Sequence, residues 1–318
     1  MTLVEIEAIE SAAKAVADTC LRTPVLPFGA EAGAGALWLK AECLQPTGAF
    51  KLRGATNAIA GLTAAQRDAG VVTHSSGNHG QAVAFAATVA GVRATVVMPQ
   101  GAAQVKIDAT RRWGADVVMV EVEDRESTCR EIAERTGAEI VPPFDDPRIV
   151  AGQGTVGLEL IEQVPDVSTV LVPVGGGGLI SGIAAAVKRL RPEVSVIGVE
   201  PELAGDLAEG FAAGHQVAWS TDQTTRTIAD GLRGRAVGDL NWQHIQTFVD
   251  DVVTVSEDAI HVTMGQIAER CRIVAEPSGA VATAAYLERG SDLPGGTAVA
   301  IVSGGNVDRG LLASALGS

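Results

Sequence analysis

The sequence predicts an α/β protein with two lobes, each built around a mostly parallel sheet that helices cover on both faces. Short apolar segments alternate with segments of helical spacing between residues 71 and 141, and the alternation resumes at residue 169. Strands and helices that alternate in this way form parallel sheets. The chain has 318 residues, of which 47% are hydrophobic, so it is long and apolar enough for a well-buried core.

Hydrophobic spacing places the elements of the first half of the chain. Apolar residues at helical spacing predict a helix over residues 4–19, and Thr23 before Pro24 ends that pattern. Alternation predicts a strand over residues 36–41, and Lys51 follows a Thr-Gly turn at a predicted helix start. The next predicted strands cover residues 71–75, 94–98, 117–120 and 139–141, and the helices between them cover 81–90, 104–113 and a segment that ends near 136.

The same alternation marks the second half of the chain. Its predicted elements are strands over 169–174, 194–199 and 298–302 and a helix over 179–190. Residues 211–239 are polar and irregular, and no regular element is predicted there. Because ligands of such folds bind at the carboxyl ends of strands, we expect a site in the cleft between the two lobes.

Composition and charge exclude several classes of protein. The formal net charge is −14, and no cluster of Lys and Arg is long enough to bind a nucleic-acid duplex. The most apolar stretch, residues 167–187, contains Pro173 and four glycines, so no membrane-spanning helix is predicted. The N-terminus lacks the basic start of a signal peptide, and the four cysteines form no CxxC pair. We therefore expect a cytoplasmic protein with reduced thiols and with neither nucleic acid nor membrane as a partner.

A run of four glycines, Gly175–Gly178, lies between a predicted strand and a predicted helix. Without side chains, backbone N–H groups approach an anion closely, and the N-terminus of a helix adds positive potential. A tight turn needs only one or two glycines, so we interpret the run as a phosphate-binding loop. The dinucleotide fingerprint does not fit, because Ile180 stands where it requires glycine or alanine.

The chain contains five lysines, and Lys51 alone follows a turn at a predicted helix start, next to the aromatic residue Phe50. A helix start lowers the pKa of an ammonium group and favours the nucleophilic amine. On this evidence alone, an ordinary lysine at a helix start remains the better interpretation.

Two further polar sequences follow predicted strands. Residues His74–Gly80 offer small hydroxyl groups and open backbone amides that can hold a carboxylate, although a helix cap alone explains Ser76 or Asn78. Ser303 follows the apolar strand near the C-terminus, where a hydroxyl can hydrogen-bond a ring nitrogen of a ligand. Taken alone, the sequence Ser303–Asn306 is better interpreted as a Gly-Gly turn.

Together, these sequences resemble the fold-type II pyridoxal-phosphate (PLP) enzymes, which are tryptophan synthase β-like, and in particular the serine/threonine dehydratases and serine racemase. The resemblance runs over nearly the whole chain, and its most specific parts are TGAFKLRGA, SSGNHGQAVA, AGQGT, VPVGGGGLISG and SGGNVD. It implies two three-layer α/β/α domains with mostly parallel sheets. Residues 1–69 and 146–318 would form a large PLP-binding domain, and residues 70–145 a small domain inserted between them. It also implies a homodimer.

The resemblance assigns a role to each matching residue. Lys51 matches the catalytic lysine that holds the cofactor as a Schiff base, and Ser76 is a candidate second proton carrier. Asn78 would face the cofactor's 3-hydroxyl and Ser303 its pyridine nitrogen. The residues that match the cofactor site are Phe50, Lys51, Asn78, Gly175, Gly176, Gly177, Gly178, Leu179 and Ser303. The residues that match the substrate site are Ser75, Ser76, Asn78, His79 and Arg125.

The resemblance also implies a divalent-cation site. Glu200, Ala204 and Asp206 match a ligand set of two carboxylates and one backbone carbonyl. Hard oxygen ligands of this kind suit magnesium, calcium or manganese. Without the resemblance, two acidic residues at this spacing are ordinary solvated side chains.

The implied activity is that of a PLP-dependent ammonia-lyase. Such a dehydratase converts L-threonine, L-serine or a related small β-hydroxy amino acid to a 2-keto acid and ammonia. One alternative is a serine racemase, alone or bifunctional with elimination. Another is a β-replacement synthase of the same fold, although those enzymes typically carry a Thr-Ser-Gly-Asn-Thr-type loop. A non-catalytic binding protein is the alternative from a different class, but Lys51 and the glycine run are both intact.

Two residues depart from the family pattern. Ala49 stands where many members have serine, which removes one hydroxyl group near the site. Pro46 stands where nucleotide-responsive racemases have lysine, so the resemblance does not extend to control by ATP.

Overall fold

The computed structural model describes residues 2–29, 36–75, 77–102 and 104–317. The helices are α1 Ile6–Val16, α2 Lys51–Ala60, α3 Ala64–Ala69, α4 Asn78–Val89, α5 Gln104–Arg112, α6 Arg125–Thr136, α7 Pro147–Gln163, α8 Gly178–Leu190, α9 Asp206–Ala213, α10 Thr221–Thr224, α11 Asp239–Phe248, α12 Glu257–Cys271, α13 Pro277–Arg289 and α14 Arg309–Leu316. The strands are β1 Val25–Pro27, β2 Leu37–Lys40, β3 Val71–His74, β4 Ala94–Pro99, β5 Asp116–Val120, β6 Glu139–Ile140, β7 Val167–Pro173, β8 Ser195–Pro201, β9 Asp251–Val255 and β10 Thr297–Ile301.

The larger sheet has six strands in the order β1-β2-β10-β7-β8-β9. Only β1 runs antiparallel to its neighbour, and the other pairs are parallel. Every residue of the central strand β10 is buried, as expected for a parallel strand with helices on both faces. The predicted α/β class with mostly parallel sheets is confirmed.

The smaller sheet has four parallel strands in the order β5-β4-β3-β6. Its two faces are both covered, because alternate residues of β4 pack into different hydrophobic clusters. Val96 packs in a cluster with Ala82 of α4, whereas Val97 packs with Cys129 of α6. All four strands lie inside residues 70–145, the segment predicted to form the small domain; the exact boundaries stay a prediction.

The predicted strands and helices agree with the structure to within a few residues, but several helices were not predicted. Among them are α7, α12 and α13, together with strand β9. Helix α13 begins Pro-Ser-Gly-Ala-Val-Ala-Thr-Ala-Ala, and all nine of these residues are buried. A helix enclosed on every side has no polar face, so its sequence lacks the periodicity that marks an amphipathic helix. Residues 211–239 also contain the short helix α10, where no element was predicted.

The parallel strands bring the predicted site sequences to the same edges of the two sheets. The glycine run follows β7, Ser303 follows β10 and Ser75 follows β3. Within the described residues, no helix is both long and apolar enough to cross a membrane.

Candidate active site

Lys51 is the first residue of α2, and its amine lies against a backbone carbonyl. Nζ donates a hydrogen bond of 2.7 Å to the carbonyl oxygen of Pro143 and lies 5.2 Å from the centroid of the Phe50 ring. Burial of the amine lowers the pKa of Lys51 to about 8. The ammonium form still predominates at neutral pH, but the neutral amine is far more abundant than for an ordinary lysine, and the neutral form is the one that acts as nucleophile or base.

A cluster of buried charged groups holds the start of α2. Arg53 is fully buried and donates hydrogen bonds of 2.8 Å to Glu42 and of 2.6 Å to Glu159. The Lys40 amine also pairs with Glu159, at 2.6 Å. Removing one partner of such a pair leaves an uncompensated buried charge, so the cluster restrains α2 and with it Lys51. Sequence analysis did not identify this cluster.

The turn before α2 packs against the residues that follow β10. The backbone N–H of Phe50 donates to the Ser303 carbonyl at 3.0 Å, and the N–H of Gly305 donates to the Gly48 carbonyl at 2.9 Å. The hydroxyl of buried Ser303 donates to the Ser278 carbonyl at 3.3 Å. Gly48 has a φ of +76°, which favours glycine, so this residue gives the turn its shape. The structure thus brings Ser303 beside the helix that begins with Lys51.

Asn78 is the first residue of α4, and two other side chains hold its amide. Nδ2 of Asn78 donates to Glu276 at 2.6 Å, and Oδ1 accepts a hydrogen bond of 2.8 Å from Nδ2 of Asn306. Neither partner was assigned a role by sequence analysis. Asn306 is the last residue of the Ser-Gly-Gly-Asn sequence, whereas no spacing pattern marks Glu276.

His79 is buried next to Asn78 and is neutral at physiological pH. Its Nε2 lies 3.0 Å from the carbonyl oxygen of Val141. Burial, followed by the nearby Lys51 ammonium, lowers the pKa of His79 to about 3. Ser75, at the end of β3, accepts a hydrogen bond of 3.2 Å from the N–H of Gly77. Ser76 lies outside the described residues.

The glycine run forms the turn between β7 and α8. Gly177 has a left-handed conformation with a φ of +87°, and α8 begins at Gly178. The first N–H groups of a helix have no partner within the helix, and their partial positive charge favours a phosphate. The carbonyl of Gly176 points the other way and accepts a hydrogen bond of 2.7 Å from Asn241. Leu179, the last predicted residue of this loop, is buried.

The segment from Val141 to Asp146 connects the glycine run to Lys51. Pro143 accepts the hydrogen bond from Lys51, and the ring of the next residue, Phe144, covers Gly176 so closely that a methyl group there would collide with it. A Cβ at Gly178 would lie 3.1 Å from the Cβ of Phe144. Sequence analysis assigned no role to this segment.

Arg125 does not join this group of residues. Its Nε donates to the carbonyl of Val122 at 2.9 Å, within the same turn, and its charge acts on His74. Among the described contacts, none joins Arg125 to Lys51 or Asn78, and its predicted contact with substrate stays a prediction.

The residues that converge here fit PLP. An amine with a lowered pKa can bind an aldehyde, open N–H groups at a helix start can bind a phosphate, and a hydroxyl and an amide can bind ring substituents. Each group comes from a different element, and hydrogen bonds or van der Waals contacts join the elements directly.

Comparison with known proteins decides the family. A family model described as "Pyridoxal-phosphate dependent enzyme" matches residues 16–304. The chain belongs to this family. It is 42% identical over 317 residues to serine racemase from Oryza sativa subsp. indica, in a match that covers 97% of this chain and 92% of the relative. It is also 42% identical over 278 residues to the catabolic L-threonine dehydratase of Escherichia coli strain K12, covering 86% and 84% of the two chains.

Solved structures agree with these relatives. The crystal structure of a T.th. threonine deaminase matches with a TM-score of 0.89 and 40% identity, covering 96% of this chain and 99% of that one. These similarities confirm the predicted fold-type II PLP fold, the PLP cofactor and the enzyme class, a PLP-dependent ammonia-lyase.

The predicted cation ligands lie apart from this site, where β8 ends and α9 begins. Glu200 is buried, and its carboxylate accepts hydrogen bonds from the N–H groups of Leu207 at 3.3 Å and Ala208 at 2.8 Å. Asp206 is buried as well, and among the described residues its Oδ2 finds no hydrogen-bond partner. Burial raises the pKa of Asp206 to about 7, and burial together with Asp206 raises the pKa of Glu200. Two buried acidic groups with an unpaired oxygen fit a divalent cation.

Proposed function

We propose that this PLP-dependent ammonia-lyase removes water and then ammonia from a small β-hydroxy amino acid, with Lys51 as the catalytic residue. The candidate substrates are threonine, serine and 3-hydroxyaspartate. The observation that carries the proposal is the position of the Lys51 amine, whose pKa is about 8. The amine lies beside the Phe50 ring and donates to Pro143. The next residue, Phe144, contacts the glycine run, so the amine lies close to that run.

The cofactor-binding roles follow from the groups that each residue offers. The N–H groups of Gly175–Leu179 would hold the phosphate, Ser303 the pyridine nitrogen and Asn78 the 3-hydroxyl. Phe50 would lie beside the ring. When bound, PLP supplies an electron sink for the negative charge that develops at the substrate Cα. Ser303 donates or accepts a hydrogen bond without a full charge, so it protonates the ring nitrogen less readily than a carboxylic acid would; a less electron-poor ring favours prompt elimination.

Lys51 would also move the proton. Its Nζ, as the neutral amine, would accept the proton from the substrate Cα. The loop of Ser75, Ser76, Asn78 and His79, at the N-terminus of α4, would hold the substrate carboxylate. Because His79 is neutral, its ring would add no positive charge, and this loop would attract the carboxylate through backbone N–H groups and hydroxyls.

The test is an assay of 2-keto acid formation with a panel of β-hydroxy amino acids of both configurations. Threonine, serine and 3-hydroxyaspartate form the panel, and the matched amino acids without a β-hydroxyl are the controls. Keto acid and ammonia formed in equal amounts from at least one β-hydroxy amino acid, and from none of the controls, supports the proposal. Release of neither product from the whole panel contradicts it.

Racemisation of serine is a second candidate activity. The presence of a serine at position 76, the candidate second proton carrier, favours it. Racemisation needs an acid or base on each face of the planar carbanion, because a single group returns the proton to the side it left. Lys51 serves one face, and Ser76 is the candidate for the other. The alternative is that Ser76 only binds the substrate carboxylate.

A divalent cation is the third element of the proposal. Glu200, Asp206 and the carbonyl of Ala204 would bind magnesium, calcium or manganese. The unpaired Oδ2 of Asp206 and the raised pKa of both carboxyl groups support this assignment, because a cation would remove the repulsion between the two charges.

The remaining proposals concern assembly and location. We infer a large domain of residues 1–69 and 146–318, a small domain of residues 70–145, a homodimer and a cytoplasmic location. The support is the family resemblance and, for the location, the four cysteines, which are free in the structure.

A further inference from the structure

Glu276 is a buried carboxyl group that touches the site through Asn78. It precedes α13 and is 4% exposed. Its Oε1 accepts the 2.6 Å hydrogen bond from Asn78, and its backbone N–H donates to the Gly304 carbonyl at 3.0 Å. A side chain at position 304 would collide with this oxygen, so Gly304 is required for the carboxyl group to reach Asn78.

Two contacts determine which way the Asn78 amide faces. Nδ2 of Asn306 donates to the Thr47 carbonyl as well as to Asn78, so the amide oxygen of Asn78 must face Asn306. The nitrogen of Asn78 is then turned towards Glu276, whose Oε1 accepts its hydrogen bond. Nδ2 carries two hydrogens, and Glu276 takes one of them. Among the described hydrogen bonds none uses the second, which is left for a bound ligand.

We propose that Glu276 is a positioning residue, which acts through Asn78 by orienting its amide as a hydrogen-bond donor to the bound cofactor. The proposal rests on the cofactor-binding role proposed for Asn78. It extends that role to a residue 198 positions away in the chain. Glu276 lies between β9 and β10, two strands of the larger sheet, whereas Asn78 follows β3 of the smaller sheet. The contact therefore also joins the two lobes at the proposed cofactor site.

The charged groups around Glu276 make the contact sensitive to pH. Burial and, to a smaller extent, the nearby Asp230 carboxylate raise the pKa of Glu276, which lies at about 8. Lys106, which pairs with Asp230 at 2.6 Å, lowers it, as do the Asn78 side chain and the backbone N–H of Asn306. The Cys43 thiol also faces the group, and its own pKa is raised to about 12, so it stays protonated. Above pH 8 the ionised carboxylate is the stronger acceptor for Asn78.

The direction of the stability effect follows from the raised pKa. A carboxyl group with a pKa near 8 in the folded protein and near its ordinary value in the unfolded chain binds more protons when folded. The stability that this difference contributes is fully present at pH values below the ordinary glutamate pKa. It is lost as the pH rises from that value through about 8. Glu276→Gln cannot ionise but keeps an oxygen for Asn78. This variant therefore separates the charge of Glu276 from its position.

The experiment compares Glu276→Gln, Glu276→Ala, Asn78→Ala and the double variant Glu276→Ala/Asn78→Ala. Three quantities are measured from about two pH units below to about two above the Glu276 pKa: the dissociation constant of PLP from the cofactor-free protein, the visible spectrum of the loaded protein, and the thermal unfolding midpoint of the cofactor-free protein. Glu288→Gln is the control, because Glu288 is an exposed carboxylate on the same helix, α13.

We expect Glu276→Ala and Asn78→Ala each to weaken PLP binding on the order of tenfold. The double variant should bind PLP as weakly as Asn78→Ala alone, because Glu276 acts through Asn78. Glu276→Gln should bind PLP at neutral pH as the parent does. In the parent we expect a spectral change near pH 8 and a fall in the unfolding midpoint as the pH rises towards 8, and Glu276→Gln should lose both.

Two results would overturn the inference while leaving the function of Asn78 intact. The first is unchanged PLP binding in Glu276→Ala alongside weakened binding in Asn78→Ala. The second is a double variant that binds PLP more weakly than Asn78→Ala by the same factor that Glu276→Ala alone loses. Such additive losses are the behaviour of a residue that supports the fold independently of Asn78. If Asn78→Ala binds PLP as tightly as the parent, the role proposed for Asn78 fails, and the role of Glu276 fails with it.

Discussion

The ring of Phe144 covers the Cα of Gly176, so the glycine run and the segment that accepts the Lys51 hydrogen bond are in direct contact. The lack of a side chain at position 176 thus serves packing, in addition to the anion access proposed for it. Pro143 and Phe144 are neighbours in the chain, and one contacts the amine while the other contacts the loop. We therefore expect a change at either position to affect both the Lys51 amine and the glycine run.

Gly176→Ala should disrupt this contact. The added methyl group would collide with the Phe144 ring, and overpacking of this kind typically costs about 1–3 kcal/mol of unfolding free energy. We expect PLP binding to weaken as well, since the loop must move. Urea unfolding and PLP titration measure the two effects. Gly290→Ala is the matched control, because a methyl group at position 290 meets open space. Parent-like stability and PLP affinity in Gly176→Ala would contradict the packing argument.

Lys51 should be the lysine that binds PLP covalently. Borohydride reduction of the loaded protein, followed by peptide mapping, should place the label on Lys51. Lys51→Ala should remain folded, fail to retain the label and lose all turnover. Lys40 is the internal control among the five lysines, because it too is buried but is paired with Glu159. Its peptide should carry no label. A label on any lysine other than Lys51 would disprove the assignment.

Lys51→Met should stabilise the cofactor-free protein at neutral pH. The pKa of Lys51 is lowered to about 8, so at pH 7 the folded protein holds an ammonium group that is poorly solvated. Replacement by an apolar side chain of similar length should raise the unfolding free energy by on the order of 1 kcal/mol. Because the pKa of Lys51 is depressed in the folded protein, the parent gains stability as the pH rises from 8 towards the ordinary lysine pKa. The difference in unfolding free energy between Lys51→Met and the parent should therefore shrink over that range. Equal stability of parent and variant at pH 7 would show that the amine is well solvated.

The cation site predicts a stability response that grows with pH. Magnesium, calcium or manganese should raise the unfolding midpoint more at about one pH unit above the Asp206 pKa than at about one below it, because that pKa is raised to about 7 and a cation binds the ionised form. Asp206→Asn should abolish the response and stabilise the cation-free protein above that pKa. Glu202→Ala, which removes a neighbouring exposed carboxylate, is the control. A response to cation that persists in both Asp206→Asn and Glu200→Ala would place the cation elsewhere.

Ser76 decides between elimination alone and elimination with racemisation. We expect the parent to form pyruvate from L-serine, together with a smaller amount of D-serine. Ser76→Ala should lose the racemisation selectively and keep elimination of L-serine. Measuring pyruvate and the opposite enantiomer together, with L-serine and D-serine as substrates, separates the two activities, and Ser75→Ala is the control for removal of a neighbouring hydroxyl. If the parent makes no opposite enantiomer, or if both activities fall in parallel, Ser76 is a binding residue.

Sequence patterns predicted the fold class, most of the strands and the sequences that line the site. Strands such as β7 and β10 are short, largely apolar runs followed two residues later by glycine or serine, and that pattern is local to the chain. Helix α2 was predicted to start at Lys51, and it does. Among the helices that were missed, α13 has its first nine residues buried, and a segment of this kind has no alternation of polar and apolar residues to detect.

The sequence by itself determined the family, the PLP cofactor and the lysine expected to bind it, because five separate motifs occur in one order along the chain. Only the tertiary structure decided how those motifs act on one another. The Asn78–Glu276 and Asn78–Asn306 hydrogen bonds join residues 198 and 228 positions apart, and the Lys51–Pro143 bond spans 92. Contacts at these separations leave no periodicity or spacing in the sequence. The physical reason is that a side chain's pKa and hydrogen-bond partners depend on the groups that folding places around it, and not on its neighbours along the chain.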